Sequence, residues 1–228
     1  MPLSDLPSKC VCGEKYTVCH ALYMSCKNGG FVAQRHDGIR NLLTSLIGKV
    51  CTNVEVELQL QPLDNERFNL RRAVTSPESR LDFKAGGFWS RGVTAFIDVR
   101  VMLVNSKCNQ GKTTSTNFKE QEEAKKRKYQ QRVLKVEMGS FTPLVFGTSG
   151  GMGADCNCFL KHLAEKLSEN NDEPYHITIT WIRTLLSFEI LRSVHTCVRG
   201  SRTPFDKIPQ GGFIDDCRLN AISILGSF

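Results

Sequence analysis

The 228-residue sequence lacks a long apolar run that is free of charged residues. Its most apolar stretch, residues 177–198, is interrupted by Arg183, Glu189 and Arg192, whereas a membrane-spanning helix needs about 20 predominantly apolar residues. The sequence also does not begin with a charged and then apolar leader, so we expect neither secretion nor insertion into a membrane. These absences favour a soluble, intracellular protein.

Acidic residues are fewer than basic ones, with 23 Asp and Glu against 30 Lys and Arg, which gives a net charge of +7. A positive balance favours a polyanionic partner such as nucleic acid or an anionic membrane surface. The chain is 40% hydrophobic, so its length is sufficient to bury one substantial core. We therefore expect one main domain with a small appendage.

The sequence has ten cysteines, and four of them crowd with a histidine into the N-terminal segment CVCGEKYTVCHALYMSC. In a reducing compartment such a cluster favours metal ligands over disulfides. Thiolate and imidazole groups suit tetrahedral Zn²⁺, and a segment too short for its own core gains stability from the metal. We predict a structural zinc site formed by Cys10, Cys12, His20 and Cys26, with Cys19 as the alternative to His20.

A stripe of apolar residues at three- and four-residue spacing predicts an amphipathic helix that ends near Gly48. Its members are Ile39, Leu42, Leu43, Leu46 and Ile47. Asp37 is the predicted N-cap, which places Arg35 and His36 just before the first turn. They are either phosphate contacts, because free backbone amides at a helix N-terminus favour anions, or solvated neighbours of the cap.

The segment RLDFKAGGFWSRGVTAFIDVR predicts two neighbouring strands that each carry an acid. Asp82 ends a polar, turn-rich segment, and Asp98 lies in the apolar strand after the glycine-rich loop. Two acids that converge at a sheet edge can hold Mg²⁺, because hard oxygen ligands bind the ion and the ion polarises a phosphate. The alternative is a pair of solvated carboxylates at strand ends.

The remaining segments predict alternating strands and helices. Residues 50–60 alternate apolar and polar side chains as a strand does, and the polar loop that follows carries Arg67, Arg71 and Arg72. Residues 118–136 predict a charged helix in which Lys128 borders the buried stripe beside Tyr129.

Residues 141–146 predict a further strand, followed by the turn GTSGGMG, which lacks the Lys-Ser/Thr of a P-loop. A helix should follow over residues 154–167. Residues 174–198 predict a long helix, or a short strand and then a helix.

Taken in order, these segments resemble the restriction-like endonuclease domain, of PD-(D/E)XK type, at the C-terminal end of reverse-transcriptase proteins of site-specific non-LTR retrotransposons. The resemblance covers about residues 10–200. The matching segments are the Cys-Cys-His-Cys cluster, RHD at residues 35–37, RLD ending at Asp82, DVR at residues 98–100 and KRKY ending at Tyr129.

The resemblance implies an α/β fold with a restriction-endonuclease-like core, in which helices flank a mixed central sheet. This core would occupy residues 37–200. The zinc knuckle and Arg-His-Asp segment would occupy residues 8–36, and residues 201–228 would form a loosely ordered tail.

The resemblance also implies that Asp82 and Asp98 bind a catalytic Mg²⁺ and that the active lysine can migrate to the following helix. We therefore predict Lys128, with its neighbour Tyr129, as part of the catalytic site. Arg100 stays protonated at all relevant pH values, so it is expected to stabilise charge and not to act as a base.

The function expected on these grounds is Mg²⁺-dependent hydrolysis of DNA phosphodiester bonds by a nuclear endonuclease domain. DNA would be contacted by Arg35, His36, Arg67, Arg71 and Arg72, and a reverse-transcriptase domain outside this sequence would be a partner. The alternative is a catalytically inactive, zinc-containing module that binds DNA or another protein.

Overall fold

The computed structural model describes residues 31–60, 80–104, 109 and 111–199. Within these ranges the chain forms four α-helices and four strands. In chain order they are α1 Phe31–Ile47, β1 Thr52–Gln59, β2 Arg80–Gly86, β3 Thr94–Met102, α2 Thr114–Lys135, β4 Ser140–Gly147, α3 Ala154–Asn171 and α4 Tyr175–Arg199. The predicted α/β class is therefore confirmed.

The four strands form one mixed, open sheet in the order β1-β2-β3-β4. β1, β2 and β3 pair antiparallel as a meander, and β4 pairs parallel to β3. Parallel neighbours cannot be joined by a tight turn, and α2 makes the crossover between them. The mixed sheet flanked by helices is the arrangement expected from the sequence.

Alternate residues of β3 face two different layers of helices, because successive side chains of a strand point to opposite sides. Ala95, Ile97 and Val99 are buried in the main core, together with residues of α1, α3 and α4. Phe96 is buried on the other side, in a cluster with Tyr129 of α2. In the described part of the chain, α2 therefore covers one face of the sheet and the other three helices cover the opposite face.

Helix α1 buries the predicted apolar stripe but begins earlier than the sequence suggested. It already includes Phe31, and both Phe31 and Arg35 are buried four residues apart, which extends the stripe toward the N-terminus. Asp37 consequently lies in the second turn, so its predicted role as N-cap is wrong. The predicted domain boundary between residues 36 and 37 also falls inside this helix.

The other helices agree with the sequence in kind and differ in length. α2 begins four residues before Phe118, and the Thr113 hydroxyl caps it by accepting a hydrogen bond of 3.2 Å from the N–H of Thr116. α4 is a single helix from its first residue, so the alternative of a strand before the helix is wrong. None of the described helices combines the length and apolarity needed to cross a lipid bilayer.

The two outer strands of the described sheet differ in regularity. β1 has an irregular register between Thr52 and Glu55, and its residues Asn53 and Glu57 have φ values of +53° and +56°. β4 pairs with β3 in unbroken register, although it contains Pro143, which has no N–H to donate. The irregular edge is therefore β1.

Several predicted features lie outside the described residues. These are the zinc ligands Cys10, Cys12, His20 and Cys26 with the alternative Cys19, the loop arginines Arg67, Arg71 and Arg72, and the tail of residues 201–228. They remain predictions.

Candidate active site

Strands β2 and β3 stop pairing beside Asp82. Their antiparallel ladder ends at the pair Phe83–Ile97, so the N–H of Val99 has no backbone partner on β2. It donates instead to Oδ2 of Asp82, at 2.5 Å. A buried backbone N–H needs an acceptor, and here the Asp82 carboxylate supplies one at the point where the strands separate.

His36 reaches the same point from helix α1. Its Nε2 lies 3.1 Å from Oδ2 of Asp82 and 3.2 Å from the carbonyl oxygen of Val99. Both atoms are acceptors, an arrangement that requires the proton on Nε2. Nδ1 lies 3.3 Å from Oδ1 of Asp37. The hydrogen bond to Asp82 raises the pKa of His36, burial opposes this effect, and Asp37 raises the pKa further. The surroundings therefore favour a positively charged imidazolium.

Asp98 lies on the side of β3 that faces α2, two residues after Phe96. Only 4% of it is exposed, and its Oδ2 forms an ion pair with Nζ of Lys125 from α2. Burial raises the pKa of Asp98 and Lys125 lowers it, while the negative charge of Asp82 raises it again. The net effect is a raised pKa, so Asp98 ionises less readily in the folded protein than in the unfolded chain, despite its lysine partner.

The lysine that contacts Asp98 is Lys125, whereas the sequence analysis selected Lys128. Nζ of Lys128 lies 4.9 Å from the centroid of the Tyr129 ring, and Nζ of Lys125 lies 5.6 Å from the same centroid. Tyr129 itself is buried and packs against Phe141. Lys125 precedes Tyr129 by four residues, one helical turn, so both lie on the same face of α2. That spacing is the signal in the sequence that identifies Lys125.

The two arginines predicted for the site occupy different environments. Arg100 is exposed and follows Asp98 by two residues, so its side chain leaves the same side of β3. Arg35 is buried in α1 and lines a cavity with Glu189 and Arg192 of α4. The structure thus places His36 in contact with Asp82, and places Asp98 near enough for the charges of both to shift its pKa. Arg35 lies elsewhere, one turn inside α1.

The two acids supply the hard oxygen ligands that Mg²⁺ prefers. In the described ranges, no group of three or more His, Cys, Asp or Glu side chains is arranged to hold a metal ion. Mg²⁺ does not require such a group, because it keeps several waters and is usually held by one or two carboxylates and the phosphates of the substrate. A cation near Asp98 would also relieve its repulsion by Asp82. The donor chemistry of the two carboxylates is therefore that of a Mg²⁺ ligand.

A second group of acids lies at the N-terminus of α3 and has a structural explanation. Glu122 of α2 is buried, and its Oε1 accepts a hydrogen bond of 3.0 Å from the N–H of Asp155. Asp155 in turn pairs with Lys126, with Nζ and Oδ2 2.6 Å apart. Burial raises the pKa of Glu122, and the charge of Asp155 raises it further. Gly153 leaves the necessary space, because a Cβ atom there would collide with the Glu122 carboxylate. Glu122 therefore caps α3 from a different helix.

Two of the thiols in the described ranges, those of Cys51 and Cys156, suggest no further chemistry. Cys156 is fully buried, and burial raises its pKa well above the ordinary value, which disfavours the reactive thiolate. Cys51 is half-buried and its pKa is also raised by burial. Neither of these two thiols is therefore expected to be reactive.

Neither the comparison with protein-family models nor the search of curated proteins finds a match for this chain.

Proposed function

We propose that this chain is a metal-dependent DNA endonuclease domain of the restriction-like, PD-(D/E)XK type, related to those of non-LTR retrotransposons. The observation that carries the proposal is the position of the two acids where β2 and β3 separate: Asp98 pairs with Lys125 and lies near enough to Asp82 for that charge to raise the pKa of Asp98. A mixed sheet with helices on both faces, as the resemblance implied, adds support. The excess of basic residues suits a DNA substrate.

Each residue has a distinct role in the proposed reaction. Asp82 and Asp98 would hold Mg²⁺, and the ion, when bound, would polarise the phosphate that is attacked. Lys125 is positioned by Asp98 and by the Tyr129 ring. Its ammonium group orients the attacking water and stabilises the negative charge that develops on the phosphate oxygens. Arg100, exposed on the same side of β3, binds phosphate oxygens with its planar guanidinium group.

His36 is a positioning residue in this proposal. It donates to Asp82 and to the Val99 carbonyl, and so fixes the carboxylate in the space between the separated strands. A substitution such as His36→Gln retains one donor but removes the positive charge, and is expected to weaken binding of Mg²⁺ through a less ordered Asp82.

A second candidate function is a binding module that retains the fold without cleavage. One observation favours it: both acids already have cationic partners, because Lys125 pairs with Asp98 and His36 bonds to Asp82. If these ion pairs were more stable than coordination of Mg²⁺, the acids would not bind the metal. The chain would then bind DNA through its basic surface without cleaving the DNA backbone.

The test is nicking of supercoiled plasmid by the purified full chain in Mg²⁺ and in EDTA. We expect nicking in Mg²⁺ alone, and a loss of about a thousandfold in rate for Asp98→Asn and for Asp82→Asn, since each removes a metal ligand. The matched control is Asp155→Asn, because Asp155 is also an acid paired with a lysine of α2, and it should cleave at the wild-type rate.

Two outcomes decide between the candidates. Wild-type cleavage by the Asp98→Asn protein would refute the proposed site. DNA binding by the wild-type chain without any Mg²⁺-dependent nicking would favour the binding module.

A further inference from the structure

The outward face of helix α4 carries a continuous stripe of exposed apolar side chains. Ile177 is 51% exposed, Trp181 41%, and Phe188 and Leu191 are each 62% exposed. With the exposed Thr184 between them, these residues follow one another at spacings of four, three, four and three. This is the heptad spacing by which one helix packs along another.

The stripe is additional to the face by which α4 is attached to its own protein. Ile179, Ile182, Leu186 and Ile190 are buried in the main core, and one apolar face is sufficient for a surface helix. None of the five stripe residues is charged, although Nζ of Lys49 lies 5.3 Å from the centroid of the Trp181 ring. Several exposed apolar residues on one helix face mark an interaction site, whereas single exposed apolar residues do not.

We propose that α4 is a homodimer interface in which the α4 helices of two copies of the chain pack antiparallel about a twofold axis. In an antiparallel pairing of this heptad, Phe188 of one copy meets Thr184 of the other, and Trp181 meets Leu191. Large side chains therefore face smaller ones. A parallel pairing would oppose Trp181 to Trp181 and Phe188 to Phe188, and would leave the two Thr184 side chains facing across a gap. Four of the five stripe residues thus pair with one another, as a twofold interface requires, and Ile177 faces the exposed His195.

The exposed area suits a weak, transient dimer. An aromatic side chain has about 150 to 250 Å² to bury, so Trp181 and Phe188, each about half exposed, add about 100 Å² apiece. Ile177, Thr184 and Leu191 are smaller and add less, so the pair of copies buries less than about 1,000 Å², the size of weak and transient interfaces. We therefore expect a dissociation constant in the micromolar range. The dimer forms whether or not the chain cleaves DNA.

The test is sedimentation of the full chain between about 1 and 200 μM. The wild type should change from monomer to dimer within this range. Trp181→Glu and Leu191→Lys should each raise the dissociation constant at least tenfold, while circular dichroism shows that both variants fold. Trp181→Glu also places an acid beside Lys49, which lies over the Trp181 ring, so it avoids repulsion within the chain. The matched control is Leu134→Glu, which alters an equally exposed apolar residue on α2 and should dimerise as the wild type does.

The double variant Trp181→Glu, Leu191→Lys tests the orientation of the helices. In the antiparallel dimer the new acid and the new base meet twice across the axis, so the double variant should lose less dimer stability than the sum of the two single losses. Three outcomes would overturn the proposal: a wild type that stays monomeric at the highest concentration, single variants that dimerise normally, or a double variant whose loss equals or exceeds the sum of the single losses. Dimerisation of the chain only after removal of residues 201–228 would also overturn it, because the tail would then be the occupant of the stripe.

Discussion

Replacing Lys125 by methionine separates the roles of two lysines that lie three residues apart on α2. Lys125→Met removes the ammonium group and keeps an apolar stem of similar length. Loss of one group that stabilises charge in a transition state lowers the rate by about 100- to 1,000-fold, so we expect a loss of that size in Mg²⁺-dependent nicking. Lys128→Met is the matched control, because Lys128 lies over the same Tyr129 ring but is not the partner of Asp98. It should cleave at nearly the wild-type rate.

The same substitution should also lower stability, by an amount that depends on pH. Removing one member of a buried ion pair costs about 3 to 5 kcal/mol when the other charge stays ionised. The side chain of Lys125 is 19% exposed, and Asp98 can take up a proton, so we expect about 1 to 3 kcal/mol at pH 7. Lys128→Met should lose at most about 1 kcal/mol, the value of an exposed cation–π contact.

The direction of the pH dependence follows from Asp98. Its folded pKa is already above 3.8, and loss of Lys125 raises it further. Ionisation of Asp98 then opposes folding as the pH rises through that value, so the deficit of Lys125→Met is large at pH 7 and shrinks as the pH approaches 4. Urea denaturation in EDTA at several pH values measures this stability deficit.

The cleavage assay decides between the two lysines. If Lys125→Met cleaves DNA normally and Lys128→Met is inactive, the catalytic lysine is Lys128.

Four other perturbations have expected outcomes. Asp98→Asn should leave metal-free thermal stability at pH 7 unchanged or higher, because the raised pKa of Asp98 means that its ionised form opposes folding; a lower melting temperature in EDTA would contradict this. Gly153→Ala should lower the free energy of unfolding by about 1 to 3 kcal/mol, since its Cβ displaces the carboxylate of Glu122 from the N-terminus of α3. Native protein should contain about one zinc per chain by elemental analysis, and the double variant Cys12→Ser, Cys26→Ser should lose it. DNA affinity should fall steeply between about 50 and 200 mM salt, because each neutralised phosphate releases counterions; a flat profile would favour a protein-interaction role.

Periodicity in the sequence was enough to predict the elements and the neighbouring strands that carry Asp82 and Asp98. It was not enough to predict the start of α1, because the helix gains its first turns from the burial of Phe31 and Arg35, which is a tertiary effect. The N-cap preference of Asp37 is worth only about 1 kcal/mol, and in the structure Asp37 bonds to His36 inside the helix. Local signals of this size are overridden when a longer helix buries more surface.

The side chains around the two acids were harder to predict than the acids themselves. His36 is 46 residues from Asp82 in sequence. The hydrogen bond between them therefore depends on how α1 packs against the sheet, which local sequence patterns do not determine. The position of Lys125 could have been predicted from the sequence, because its four-residue spacing from Tyr129 places it on the same face of α2 as that buried side chain. Lys128 was chosen for its adjacency to Tyr129, but adjacent residues on a helix point in directions about 100° apart.

The edge strands limit one way in which this chain can associate with others. Growth of a sheet by addition of a further strand requires an extended edge with a regular row of N–H and C=O groups. The positive φ values of Asn53 and Glu57 interrupt such a row on β1. On β4, Pro143 has no N–H to donate, and Phe146 already forms a bridge with Met152. In the described part of the chain, neither edge of the sheet is therefore a ready template for the strand-by-strand growth of a fibril.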